Sequence, residues 1–193
     1  MLTQKEILTI LKDIGAIKEG HFRYTSGLHG QVYVQCATLL KDPALSARVC
    51  EGMAEHFRKD APDLVLGPAV GAVNLSYEVA RQLGVPSLFA ERNDEGQMVL
   101  RRSFEILPGQ KVLVVEDVVT TGGTTMEMIK LVQGLGGIVI GAASIVNRSR
   151  GKAQLPVPYF ALLDLDVANY TPEECPLCKA GIPVEKPGSR KIK

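Results

Sequence analysis

Residues 112–125, VLVVEDVVTTGGTT, restrict the fold more than any other stretch of this chain. Four apolar residues, Val112 to Val115, run into two adjacent acids, Glu116 and Asp117. Val118 and Val119 come next, and then Thr120, Thr121, Gly122, Gly123, Thr124 and Thr125. An unbroken apolar run of this length is the pattern of a strand covered on both faces, which requires layers on either side of a sheet. Such a strand is rigid, and here it carries two carboxylates to its carboxyl end. Adjacent carboxylates accept hydrogen bonds from a vicinal diol or help to hold a divalent cation. The Thr/Gly run opens a helix, where backbone N–H groups and hydroxyls suit a phosphate monoester. Diol and phosphate sites a few residues apart match a ribose 5-phosphate. A plain strand-to-helix turn with capping acids would explain parts of this order but not all of it. The segment lacks the Gly-Lys-Ser/Thr of a P-loop and the Gly-x-Gly-x-x-Gly of a dinucleotide fold, so NTPase and dehydrogenase readings weaken.

The rest of the chain supplies the layers. Thr3 and Glu6 form a capping box for a helix ending near Gly15. Residues 20–40 are punctuated by glycine, and Val32, Val34 and Cys36 alternate as in a strand. Asp42-Pro43 is an N-cap followed by proline at the first helical position, with an amphipathic helix running to about residue 60. Strand and helix then alternate: strand at 64–66, helix at 71–82, strand at 86–91, helix at 123–134, strands at 138–146 and 160–163. Residues 92–103 are polar and predict a hairpin or mobile loop around Asn93-Asp94-Glu95-Gly96. The pattern predicts an α/β fold with a central, mainly parallel twisted sheet flanked by helices, and ligands at the carboxyl ends of the strands. One domain is expected over 1–167. From Ala168 the rhythm is lost, and 168–193 reads as a tail or small appendage. With 193 residues, 46% of them apolar, the chain is long enough for a real core, and a formal net charge of +1 offers no broad basic surface for nucleic acid. No apolar run reaches membrane-spanning length, and the start shows no signal region, so a cytoplasmic protein with no membrane partner is expected.

The 112–125 segment closely resembles the motif with which type I phosphoribosyltransferases bind 5-phosphoribosyl-1-pyrophosphate (PRPP). The resemblance implies that fold, with hood elements from residues 1–40 over the base. It places Glu116 and Asp117 at the ribose hydroxyls and the loop from Val118 through Thr125 around the 5-phosphate. Gly67-Pro68-Ala69-Val70-Gly71 resembles the family's pyrophosphate loop, which implies a cis peptide at Ala69–Val70 and contacts from Ala69, Val70 and Gly71. Phe89-Ala90-Glu91-Arg92 and the residues to Arg102 resemble the strand and mobile catalytic loop of the family's orotate-using group. Arg92, Arg101 and Arg102 are then candidates for the pyrophosphate and, with Asp117, for catalysis. In that group the loop comes from a neighbouring subunit, which implies a homodimer. Residues 20–34 resemble the group's base-binding stretch through Phe22, Ser26, Gly27 and Tyr33. Asn147-Arg148 resembles its Asp-Arg pair, so Ser26, Thr120 and Arg148 are the base-side candidates. The implied reaction joins PRPP and orotate to give orotidine 5′-monophosphate and pyrophosphate, with Mg²⁺ carried on PRPP rather than by firm protein ligands.

Several positions depart from that group. Thr25 stands where lysine is frequent, Val70-Gly71 replaces an aromatic-lysine pair, and the loop at 93–102 has neither lysine nor histidine. These leave PRPP binding intact and keep a purine or other-base transferase, or a nucleotide-binding regulator of the same fold, as alternatives. His21 and His29 read as structural. Cys175-Pro176-Leu177-Cys178 looks like one half of a zinc site. No second C-x-x-C occurs, so two chains could each bring a pair; a redox pair and plain thiols are the other readings.

Overall fold

Val112 and Val114 belong to one apolar core and Leu113 and Val115 to another, so the alternation of a strand divides a uniformly apolar run between two layers. The computed structural model describes residues 1–24 and 27–187. In it these four residues are the middle of β6 (Lys111–Val119). The other strands of the main sheet are β3 (Leu64–Pro68), β4 (Ser87–Arg92), β5 (Met98–Leu100), β7 (Ile138–Asn147) and β8 (Tyr159–Asp164). Their order is β5-β4-β3-β6-β7-β8, and every pair is parallel except β4 with β5. Residues 92–103 therefore begin as a hairpin at the sheet edge, one of the two forms expected of them.

The helices form where the local chemistry directs. In α1 (Gln4–Asp13) the Thr3 hydroxyl accepts from the Glu6 N–H at 3.3 Å, and the Glu6 carboxylate accepts from the Thr3 N–H at 2.8 Å. A four-residue helix, α2 (Ala37–Leu40), comes after the N-terminal strands. In α3 (Pro43–Phe57) the Asp42 carboxylate accepts from the Leu45 N–H at 3.0 Å, with Pro43 where no N–H is needed. Helices α1, α3 and α4 (Val73–Leu83) cover one sheet face through Ile7, Leu11, Met53, Phe57, Leu75 and Val79. The other face is covered by α5 (Gly123–Gly134) through Met128 and Val132. Each such side chain, fully buried, contributes about 1.5–3 kcal/mol.

A second, smaller sheet lies outside this frame. It consists of β1 (Ile17–Arg23), β2 (His29–Val34) and β9 (Asn169–Tyr170), all antiparallel in the order β1-β2-β9. The segment after residue 167 is thus attached to the N-terminal strands: β9 pairs with β2, Glu185 bridges to Phe22, and Cys175, just before α6 (Pro176–Lys179), is fully buried. The loss of strand-helix rhythm there marks a change of partner, since so short a strand carries too few residues to show a period.

Gly141 on β7 permits a close approach between α3 and the sheet. A Cβ built there would lie 2.3 Å from the buried Phe57 ring, which is itself edge-on to His56. We expect Gly141→Ala to lower stability by about 1–3 kcal/mol through overpacking, read in urea melts as a lower midpoint with an unchanged slope.

Candidate functional site

The site is built at the carboxyl ends of three neighbouring strands and in the loops beyond them. Near its carboxyl end, just before Val118 and Val119, β6 carries Glu116 and Asp117, both half-buried after four fully buried residues. The Glu116 carboxylate accepts from the Thr125 hydroxyl at 2.5 Å, which ties the acid to the first turn of α5. One Asp117 oxygen accepts from the Val118 N–H at 2.9 Å. Between the acids and α5 the loop turns at Gly122 with φ +80°, and Thr121 and Gly123 are exposed. The first amides of α5 have no intrahelical acceptor, and its dipole adds positive potential at the same place. The Gly123 N–H reaches the Thr121 hydroxyl at 3.4 Å, a long bond that a better acceptor would displace.

β3 ends in the second loop. The Ala69–Val70 peptide is cis, and Val70 and Gly71 are exposed. The Ala69 N–H donates to the Ala90 carbonyl at 2.8 Å, fixing the loop against β4. A Cβ on Gly71 would sit 3.0 Å from an Asp117 carboxylate oxygen. The structure therefore sets Gly71 close beside the Asp117 carboxylate, and the cis bond falls at Ala69–Val70, where the resemblance implied it.

Of the three arginines, Arg92 stands at the end of β4. Its guanidinium pairs with Glu127 of α5 at 2.7 Å and donates to the Gly96 carbonyl. Arg102 forks onto both Glu91 oxygens at 3.0 Å and lies over the Phe89 ring. Arg101 is exposed beside it. In this conformation Arg92 and Arg102 serve the hairpin and its neighbours.

The residues that the resemblance assigns to the base come from the small sheet and the end of β7. Arg148 is 7% exposed, although it stands in the loop after β7. Its guanidinium lies 4.6 Å over the Tyr24 ring. Among the described residues its buried Nε has no hydrogen-bond partner. The Arg148 N–H donates to the Val119 carbonyl at 2.7 Å, which places this arginine next to Thr120. Ser26 lies outside the described residues. Phe22 is buried against Tyr33, with ring centroids 5.7 Å apart. Burial first, then the charges of Asp117 and Cys36, raises the Tyr33 phenol above its usual range. Sequence reasoning missed Tyr24 as the platform for Arg148 and Thr125 as the Glu116 partner. An aromatic beside a glycine-rich turn was the only trace of the first.

The model of the phosphoribosyl transferase domain family matches residues 36–166. An orotate phosphoribosyltransferase of Desulforamulus reducens is 50% identical over 191 residues, 99% of this chain and all 100% of that protein. One from a Thermoanaerobacter species is 52% identical with the same coverage, 99% and 100%. The crystal structure of orotate phosphoribosyltransferase from Aeropyrum pernix matches with TM-score 0.72 at 25% identity, covering 82% of this chain and 93% of that one. The chain belongs to the phosphoribosyltransferase family. Within it the chain is most like the orotate phosphoribosyltransferases.

Two thiols beneath the site carry a pH signature. Burial, followed by the charges of Asp117 and Cys50, pushes the Cys36 thiol far up, and its Sγ faces the Asp117 carbonyl at 3.8 Å. Burial, followed by Glu78, pushes Cys50 to about 12 from an ordinary 9.0. Below 9 the thiol is protonated in folded and unfolded chains alike. Between 9 and about 12 only the unfolded chain loses the proton, so stability falls as pH rises through that window. Chemical denaturation at pH 8 and 10 is expected to show the drop. Iodoacetamide at pH 8 should leave Cys36 and Cys50 unlabelled until the chain is unfolded.

Proposed function

We propose that this chain transfers ribose 5-phosphate from PRPP to orotate, releasing pyrophosphate and forming orotidine 5′-monophosphate. The observation that carries the reading is the acid pair at the end of β6, held between the 69–71 loop and the N-terminus of α5. It offers diol acceptors and phosphate donors at ribose 5-phosphate spacing, in a chain whose full-length relatives at about 50% identity are named orotate phosphoribosyltransferases.

Roles derive from position. Glu116 and Asp117 accept from the ribose hydroxyls, and the amides and hydroxyls of 120–125 hold the 5-phosphate. The loop at Ala69, Val70 and Gly71 presents backbone groups to the pyrophosphate. The bond from C1′ to pyrophosphate breaks, its electron pair leaving with pyrophosphate, as one from C1′ to a ring nitrogen forms through an oxocarbenium-like ribose, and the proton of that nitrogen is released to solvent. Stabilising the departing charge lowers the barrier, and no covalent nucleophile is needed. Arg92, Arg101 and Arg102 are the cations for that charge, which requires the Glu127 and Glu91 pairs to open. The donor set at the end of β6 is hard carboxylate oxygen, which fits Mg²⁺ arriving on PRPP with Asp117 and Glu116 beside it. When bound, the ion neutralises diphosphate charge. A homodimer in which the hairpin of one subunit reaches the site of the other belongs to the same reading.

Arg148 favours orotate over a neutral purine. A buried guanidinium whose Nε has no partner among the described residues is costly until an anion meets it, and the orotate carboxylate is the anion a pyrimidine substrate supplies.

A panel of bases with PRPP and Mg²⁺, monitored by ultraviolet absorbance, should show consumption of orotate and not of adenine, guanine or uracil. Joint replacement by Glu116→Ala and Asp117→Ala should reduce kcat/KM about a hundredfold or more without loss of the folded circular dichroism spectrum. Near-normal turnover in that double variant rejects the assignment. Arg148→Ala should raise KM for orotate about tenfold or more while leaving KM for PRPP little changed, and Arg148→Lys should not restore it.

A further inference from the structure

Away from the transfer site, four side chains from distant parts of the sequence meet at one point. His21 comes from β1, His29 from β2, and Cys175 and Cys178 from the start of α6. One ligand atom from each lies within 4.8 Å of all the others. His21 Nε2 is 3.0 Å from His29 Nδ1, 3.5 Å from Cys175 Sγ and 3.6 Å from Cys178 Sγ. Cys178 Sγ is 3.2 Å from His29 Nδ1.

Hydrogen bonding does not account for this convergence. His21 Nδ1 lies 2.7 Å from the Ile182 carbonyl. A carbonyl only accepts, so Nδ1 carries the proton and Nε2 of the neutral ring carries a lone pair. One lone pair faces three close neighbours, of which it could accept from one. A metal ion at their centre would instead receive a bond from every one. With metal–nitrogen distances of about 2.0–2.1 Å and metal–sulfur distances of about 2.3 Å, a tetrahedral centre sets its ligands roughly 3.3–3.8 Å apart. The separations of 3.5 and 3.6 Å fall in that range, those of 3.0 and 3.2 Å are slightly shorter, and every pair lies within 4.8 Å, so small side-chain shifts would seat an ion. The Ile182 carbonyl is the kind of outer partner that orients a ligating imidazole.

We propose that His21, His29, Cys175 and Cys178 form a structural zinc site within a single chain. Two imidazoles and two thiolates are a borderline-soft donor set that selects zinc over the oxygen-seeking Mg²⁺ of the transfer reaction. Four protein ligands leave no open position, so the ion is structural and takes no part in catalysis. The second pair of ligands, which the sequence allowed to come from another subunit, is a pair of histidines from the hood of the same chain.

The ion would fasten the C-terminal segment to the hood. The backbone already meets there: the Arg23 N–H donates to the Glu185 carbonyl at 2.8 Å, and the Glu185 N–H donates to the His21 carbonyl at 2.7 Å. A three-stranded sheet with a two-residue outer strand has little apolar area to bury, and a metal replaces the missing core. Tyr24, the platform for Arg148, lies three residues beyond His21 on the same strand end.

The test is the metal content of full-length protein, prepared without a histidine tag and read by inductively coupled plasma mass spectrometry. About one zinc per chain is expected in the wild type, and a loss of most of it in Cys175→Ser/Cys178→Ser and in His29→Ala. Should those variants fail to fold, wild-type protein stripped with a chelator and refilled with Co²⁺ keeps the question open to measurement. Intense tetrahedral ligand-field bands and thiolate-to-cobalt charge transfer are expected, together with a thermal midpoint several degrees higher than that of the stripped protein. Wild-type protein that holds no zinc after incubation with equimolar Zn²⁺ and dialysis overturns the proposal. So does a mass showing a Cys175–Cys178 disulfide in protein prepared under reductant, or zinc retained in the double serine variant. Metal content is independent of orotate turnover, so either reading can fail without the other.

Discussion

Burial of β6 on both faces is the constraint on which the rest of the structure depends. A carboxylate in the middle of that strand would be unpaired in a low-dielectric interior, at a cost of several kcal/mol. Polar chemistry is therefore confined to the strand's end, where the two cores stop. Glu116 and Asp117 sit at that boundary, half-buried behind four residues of which none is more than 1% exposed. The same boundary on β3 produces the 69–71 loop and on β7 the Asn147-Arg148 turn. Adjacent parallel strands end at one edge, so three loops from separate parts of the sequence meet without any long-range signal between them.

The hood is held together differently. Its outer strand, β9, has two residues, and of its three strands only Ile17 and Val34 are buried members of the large apolar cores. What holds it is specific: backbone bonds to Glu185, the short β9 and the convergence of two histidines on two cysteines. A few directional ties at one end fix such a part without a continuous core. The interior of the main sheet is close-packed and would not tolerate an opening.

The arginine pairs show the same separation of rigid and yielding parts. Arg92 with Glu127 and Arg102 with Glu91 are exposed or half-exposed ion pairs, worth about 0–1 kcal/mol in water. Pairs this weak hold the hairpin in one arrangement at little cost to opening. Arg148 differs because it is buried. Its position is fixed by Tyr24 and the Val119 carbonyl, and its Nε donor is buried with it.

The sequence by itself determined the parallel α/β frame, the strand that bears the acids and the helix that the Thr/Gly run opens. Those features rest on periodicity and on residues that touch their own neighbours along the chain: the Thr3–Glu6 box, the Asp42 cap and the run from Val112 to Thr125. The match to the family's motif extended the same local legibility to Ala69–Val70. Only the tertiary structure decided which distant side chains meet. Nothing in residues 20–30 points to Cys175, and nothing near Arg148 points to Tyr24, because contacts across more than a hundred residues leave no period in either partner. The attachment of the C-terminal segment to the hood was hidden for the same reason. A two-residue strand and a four-residue helix are too short to repeat, and their place is set by what they pack against.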